Sequence, residues 1–157
     1  MKPTGRLRGP RLNGTIVGQT KVKLSGGEGG TLVLERSQLG APGTPADDDV
    51  LVNVTVDARG FAAADQSWVV RSDWDKFLTE LRTLESRRQG SAALCGASPE
   101  ELRIEFFSVD RAGHMAVRGQ VRKPTIEGYD LELRFGFAFA PDELPRILRE
   151  LEEFTGR

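Results

Sequence analysis

Between Tyr129 and Phe139 every second residue is bulky and apolar: Tyr129, Leu131, Leu133, Phe135, Phe137 and Phe139 alternate with Asp130, Glu132, Arg134, Gly136 and Ala138. Successive side chains of a strand point to opposite faces, so this stretch reads as one long strand with all its large apolar groups on one side. Such a strand needs paired neighbours and a cover over that side. A second alternation, Val50, Val52, Val54 and Val56 against Leu51, Asn53, Thr55 and Asp57, supplies another strand with the same requirement. The cover comes from two segments of a different period. Trp74, Phe77, Leu78, Leu81 and Leu84 fall at i, i+3, i+4, i+7 and i+10, and Leu144, Ile147, Leu148, Leu151 and Phe154 repeat that spacing. Each makes one apolar stripe on a helix.

The remaining elements follow from punctuation. Weak strands are expected at Thr15–Leu24 and Thr31–Arg36, split by the flexible turn Ser25-Gly-Gly-Glu-Gly-Gly, and Leu39–Asp49 is a surface loop. Phe61–Arg71 pairs back on the valine strand, with a bulge expected in Ala62–Gln66. Ser72 stands as N-cap of the first helix and Gly90 as its end; Asp142 stands as N-cap of the second, with Pro145 in its first turn. Short strands are expected at Ala92–Cys95, from Leu102, and over Met115–Arg122, with reversals at Asp110–Gly113 and Pro124–Gly128. The fold class is α+β: a single antiparallel sheet of six to eight strands with both amphipathic helices on its apolar face. No strand–helix–strand alternation calls for a parallel, nucleotide-binding sheet.

The 157 residues suit one domain, 1–157. Within it, 1–49 form a Gly/Pro-rich basic segment and 50–157 the sheet–helix body. The formal charge of -1 hides a split. Residues 1–27 carry six Lys/Arg and no acid, whereas 28–157 carry sixteen Lys/Arg against twenty-three Asp/Glu. Hydrophobic residues at 38% and charged ones at 29% mark a globular chain, with no apolar run long enough to span a membrane. One cysteine makes no internal disulfide, and no secretory signal follows Met1; the reading is cytoplasmic.

Chemistry-bearing residues are sparse. The lone imidazole, His114, would need Asp110 or Cys95 beside it to act as a base, and otherwise reads as a turn residue. Cys95 reads as buried and inert. No catalytic, cofactor or metal constellation emerges. Asp47-Asp48-Asp49 is the one three-acid run, without the alternation of a calcium loop, and reads as a solvated loop or protein contact. The basic N-terminal residues lack aromatic partners for bases, which argues against nucleic acid.

The order of elements from Val50 onward is similar to that of WapI-type immunity proteins. The strand into Gly60-Phe61, the helix bearing Phe77-Leu78-Thr-Glu-Leu81, the Asp110-Arg-Ala-Gly-His114 turn, the strand ending Phe135-Gly-Phe-Ala-Phe139 and the closing Leu144–Phe154 helix carry the resemblance. It implies a small cytoplasmic bacterial partner that occludes the C-terminal domain of a cognate toxin, without a catalytic residue of its own. The contact residues expected on this basis are Asp47, Asp48 and Asp49, together with the solvent-facing row Asp130, Glu132 and Arg134. The rival classes are a small-ligand-binding or regulatory module, which requires an enclosed pocket between sheet and helices, and an enzyme built on His114.

Overall fold

The structure, a computed structural model, describes residues 20–98 and 100–156. The two periodicities become eight strands and two helices. The strands are β1 (Lys21–Ser25), β2 (Thr31–Leu39), β3 (Val50–Ala58), β4 (Phe61–Val69), β5 (Ser91–Cys95), β6 (Leu102–Ser108), β7 (Met115–Lys123) and β8 (Leu131–Phe139). Helix α1 (Arg71–Arg87) lies between β4 and β5, and α2 (Leu144–Glu152) follows β8.

The expected single sheet is replaced by two four-stranded antiparallel sheets, ordered β1-β2-β3-β4 and β5-β6-β7-β8. The reason lies in the connection. A 17-residue helix advances about 25 Å, so α1 carries the chain away from the edge of β4 and β5 opens a second sheet. Each half is thus a four-strand meander running into a helix. The helices then cross over: α1, made by the first half, packs on β5 and β6, while α2 packs on β1, and the two helices pack on each other. Each sheet is covered by the other half's helix, and the buried residues of both halves form one core.

All five residues of the first stripe, and Leu144, Ile147, Leu151 and Phe154 of the second, are buried in one core with Val50, Val52, Val54 and Val56. Trp74 stacks on Phe154 at 5.4 Å where the helices meet. Phe77 leads on to Phe106 and Phe106 to Phe139, linking α1 through β6 to β8. Arg146 of α2 holds Glu143 at 2.6 Å and the buried Glu150 at 2.8 Å, and donates to the Lys23 carbonyl of β1 at 3.0 Å. Burial works against its charge, but the two carboxylates outweigh it and leave the guanidinium above its ordinary pKa.

Local corrections concern caps and kinks. Helix α1 begins at Arg71, with Val70 before it and no side-chain cap, so Ser72 lies inside the helix. The Asp49 carboxylate reaches in from the preceding loop instead and accepts the Arg71 N–H at 2.8 Å. At the other end Arg88, not Gly90, takes the left-handed conformation that closes the helix. Asp142 sits in a 3₁₀ turn ahead of α2 without capping it. The β3–β4 register is unbroken from Val50↔Val69 to Ala58↔Phe61, so the expected bulge at Ala62–Gln66 is absent; the register shifts on β2, between Arg36 and Gln38. The first expected strand starts at Lys21, and its residues 15–19, like the basic residues before them, lie outside the described chain. The last strand begins at Leu131, two residues after Tyr129.

The glycine-rich turn has a task beyond flexibility. A Cβ on Gly26 would stand 2.3 Å from the Phe137 ring, and one on Gly30 would stand 2.7 Å from it. The β1–β2 turn therefore seats an aromatic of the second sheet. The corresponding turn of the second sheet does the reverse, Ala97 N–H donating to the Trp68 carbonyl of β4 at 2.7 Å.

Candidate binding interface

Strands β4 and β8 are the last of their sheets and share the same burial profile, buried at the C-terminal end and open towards the N-terminal end. On β8 the apolar row read from the sequence grades from Phe139, 5% exposed, through half-buried Phe137, Phe135 and Leu133, to Leu131 at 66%. Phe61, at the start of β4, is 68% exposed. Beyond β8, the β7–β8 reversal is braced by Thr125, whose hydroxyl donates to the Tyr129 carbonyl at 2.8 Å and accepts the Tyr129 N–H at 3.0 Å. This brace holds Ile126 and Tyr129 out in solvent.

Open clefts follow the exposed stretch of β8. One of about 380 Å³ separates β4, at Phe61–Asp65, from Val121, Lys123 and Leu131–Leu133. Another, about 340 Å³, lies between Ala58, Arg59 and Phe61 of the β3–β4 turn and Leu133–Gly136 of β8. On the outer face a third, about 240 Å³, gathers Arg103, Arg118 and Arg134 around Glu105 and Phe135. Glu105 serves two cations, Arg118 at 3.1 Å and Arg103 at 3.7 Å, and Arg118 also lies 4.3 Å over the Phe107 ring. All these clefts are lined by strands and turns; the enclosed cavity between sheet and helices that a small-ligand module requires is not among them.

The six expected contact residues fall into two groups. Glu132 and Arg134 line the clefts and pair with each other at 2.6 Å, while Asp130, just ahead of β8, pairs with Arg122. Donation of hydrogen bonds to the Asp130 carboxylate raises the Arg122 pKa above its ordinary value, helped by Glu100 at 3.1 Å. Asp47, Asp48 and Asp49 lie before Val50, the opposite end of β3 from Ala58 and Arg59, about 25 Å along the strand. They are half-buried: Asp47 accepts the Gly43 N–H at 3.1 Å, Asp48 has a positive φ of 62° and approaches Arg71 at 4.0 Å, and Asp49 holds the start of α1.

His114 does meet Asp110, Nδ1 to Oδ2 at 2.6 Å, and Asp110 also accepts the Ala112 N–H at 2.9 Å. The His114 hydrogen bond pulls the Asp110 pKa below its ordinary 3.8. Both side chains are exposed, and among the described residues no hydroxyl or thiol is bonded to the ring. Cys95 pairs in register with Arg103, at the far end of β6 from this turn, and is half-buried with the Arg103 guanidinium 3.4 Å from its sulfur. The arrangement braces a hairpin. Sequence reasoning missed the apolar rim, Phe61, Leu131, Tyr129 and Ile126, because alternation assigns a residue to a face without saying how far the neighbouring sheet extends over it.

Fold and surface together define a two-sheet α+β domain whose most accessible features are strand edges, an aliphatic and aromatic rim, and guanidinium–carboxylate pairs. The chain belongs to the Immunity protein WapI-like family, whose model matches residues 23–157 and so takes in part of β1 and all of β2 as well as the elements from Val50 onward. Immunity proteins of this kind generally act without catalysis. No curated protein and no solved structure matches the chain. Among the described residues no helix is long and apolar enough to cross a membrane, and no group of three or more His, Cys, Asp or Glu is placed to hold a metal ion.

Proposed function

We propose that this protein is the cytoplasmic immunity partner of a bacterial toxin, and that it neutralises the toxin's C-terminal domain by binding it rather than by any chemistry of its own. Membership of the immunity family carries this reading. The surface supports it: Ile126, Tyr129, Leu131 and Phe61 form an exposed apolar rim with charged neighbours, the composition of a contact surface. Asp130, Glu132 and Arg134 lie on that rim and take part in the contact. Asp47 and Asp49 serve the fold first, through the Gly43 and Arg71 amides, and Asp48 adds to the acidic field of residues 28–157, which draws in a basic toxin.

Co-purification tests the reading. The tagged protein, expressed with the toxin domain encoded by the neighbouring gene, is expected to elute with it as a stoichiometric complex. Elution of the two apart, with both folded, would refute it.

A further inference from the structure

The backbone of β8 has a side that nothing covers. Val109 N–H donates to the His114 carbonyl at 2.7 Å and Arg122 N–H to the Glu101 carbonyl at 2.8 Å, so the even-numbered residues of β7 turn their backbone groups towards β6 and the odd-numbered ones towards β8. In an antiparallel ladder both groups of a residue point the same way. With Val117↔Phe137, Gly119↔Phe135 and Val121↔Leu133 in register, β8 spends its odd-numbered residues on β7. The N–H and C=O groups of Glu132, Arg134 and Gly136 therefore point away from the sheet, and no backbone or side-chain partner for them is present among the described residues. At Ala138 the edge is shut by the β1–β2 turn, where a Cβ on Gly26 would stand 2.8 Å from the Ala138 carbonyl. On β4 the equivalent closure is the Ala97–Trp68 bond.

The open stretch lacks most of the usual protection. It contains no proline, its register with β7 runs without a bulge, and its two charged side chains pair with each other. It also lies in a trough, with Phe61 and Leu133 common to the two inner clefts and Phe135 common to the 340 and 240 Å³ clefts. The charge beside it is basic. Among the residues lining the three clefts Arg59, Arg103, Arg118, Lys123 and Arg134 outnumber Asp65, Glu105 and Glu132; Glu105 is shared between two guanidiniums, and Arg59 also approaches the exposed Glu28 at 3.8 Å.

We infer that the open edge of β8, from Leu131 to Gly136, receives an extended segment of the toxin as an added strand. Its apolar side chains enter the trough against Phe61, Leu131 and Leu133, and its carboxylates meet Arg59, Arg118 and Arg134. Main-chain bonding supplies affinity in such strand addition and the alternate side chains supply selectivity. The inference rests on the proposed function and narrows it: the local complement is acidic and extended, opposite in sign to the field that draws the toxin in from a distance.

Gly136 gives the cleanest test. A Cβ there meets nothing closer than 3.5 Å, so Gly136→Ala is accommodated, whereas Gly136→Pro removes an outward N–H and places a ring on the edge without breaking a β7–β8 bond. By isothermal titration with the purified toxin domain, Gly136→Pro is expected to bind at least about tenfold more weakly and Gly136→Ala within about twofold of wild type. Hydrogen–deuterium exchange on the unmutated pair covers the case in which the proline variant fails to fold: within peptides spanning 131–137, the outward amides of Glu132, Arg134 and Gly136 are expected to exchange fast in the free protein and slowly in the complex, while those bonded to β7 are slow in both. A wild-type complex that leaves 131–137 unprotected overturns the strand-addition inference alone. Protection of 131–137 in a dimer of the free protein also overturns it, since the occupant is then a second copy. Absence of any complex removes the proposed function and the inference with it.

Discussion

The seating of Phe137 between two glycines can be tested position by position in a single turn. The ring of Phe137 lies 2.3 Å from where a Cβ on Gly26 would be and 2.7 Å from where one on Gly30 would be, distances at which something must move. At Gly30 the nearest atoms belong to the ring alone, which can swing, whereas at Gly26 the Ala138 carbonyl oxygen, a backbone atom, also stands 2.8 Å away. Overpacking of this kind costs about 1–3 kcal/mol. Gly26→Ala should fall at the top of that range and Gly30→Ala at the bottom. In a domain of this size about 2 kcal/mol lowers Tm by roughly 4–8 °C. Gly27, one residue along, has open space around it and no positive φ, so Gly27→Ala should be neutral or stabilising by up to about 1 kcal/mol through the unfolded chain. Trimming the ring with Phe137→Leu should then rescue Gly30→Ala but not Gly26→Ala, a coupling that a double-mutant cycle measures directly. Scanning calorimetry and urea titration of the four single and two double variants give the result. If Gly26→Ala and Gly27→Ala melt together, the turn is a flexible link and the docking of the two sheets through Phe137 is wrong.

Asp49→Ala removes the acceptor of the Arg71 N–H and should cost about 1 kcal/mol in urea unfolding, with Asp49→Asn retaining most of it. Trp74 is fully buried with an indole N–H that has no partner among the described residues, so Trp74→Phe should cost under about 1.5 kcal/mol, against about 3–5 kcal/mol for Trp74→Ala. Because the folded pKa of Asp110 is depressed, its contribution to stability is complete above the ordinary 3.8 and is lost as pH falls through the lower folded value. Urea midpoints of wild type and Asp110→Asn should therefore differ just above pH 3.8 and converge as pH falls below it; a difference that grows on acidification through this range would reverse the assignment.

The elements were legible in the sequence because each is written in a local period. The valine row of β3 and the stripes of α1 and α2 needed no tertiary information, and the structure buries them as the periods require. What local period does not encode is where a sheet ends. Eight strands with a helix between the fourth and fifth suit one sheet or two, and the choice depends on α1 crossing to β5, a packing decision between residues far apart in the chain. Caps failed for the same reason: Ser72 and Asp142 have suitable chemistry at suitable positions, but Asp49, 22 residues upstream, was already delivered to the Arg71 amide by its loop. At the candidate interface the sequence pointed to Glu132 and Arg134 on the outer face of β8 and to Asp130 just ahead of it. The open backbone edge beneath them is invisible to it, since an unpaired N–H carries no residue signature. Phe61 and Leu131 were hidden differently, as members of apolar rows whose ends overhang the core.

Growth rescue bears most directly on the claim that this chain is an immunity protein. Cells carrying the neighbouring toxin's C-terminal domain under one inducible promoter and this protein under another should survive toxin induction when the protein is present. They should survive equally with His114→Ala, since neutralisation by binding needs no catalytic imidazole. Loss of viability in cells that hold folded, soluble protein in excess over the toxin domain would contradict it.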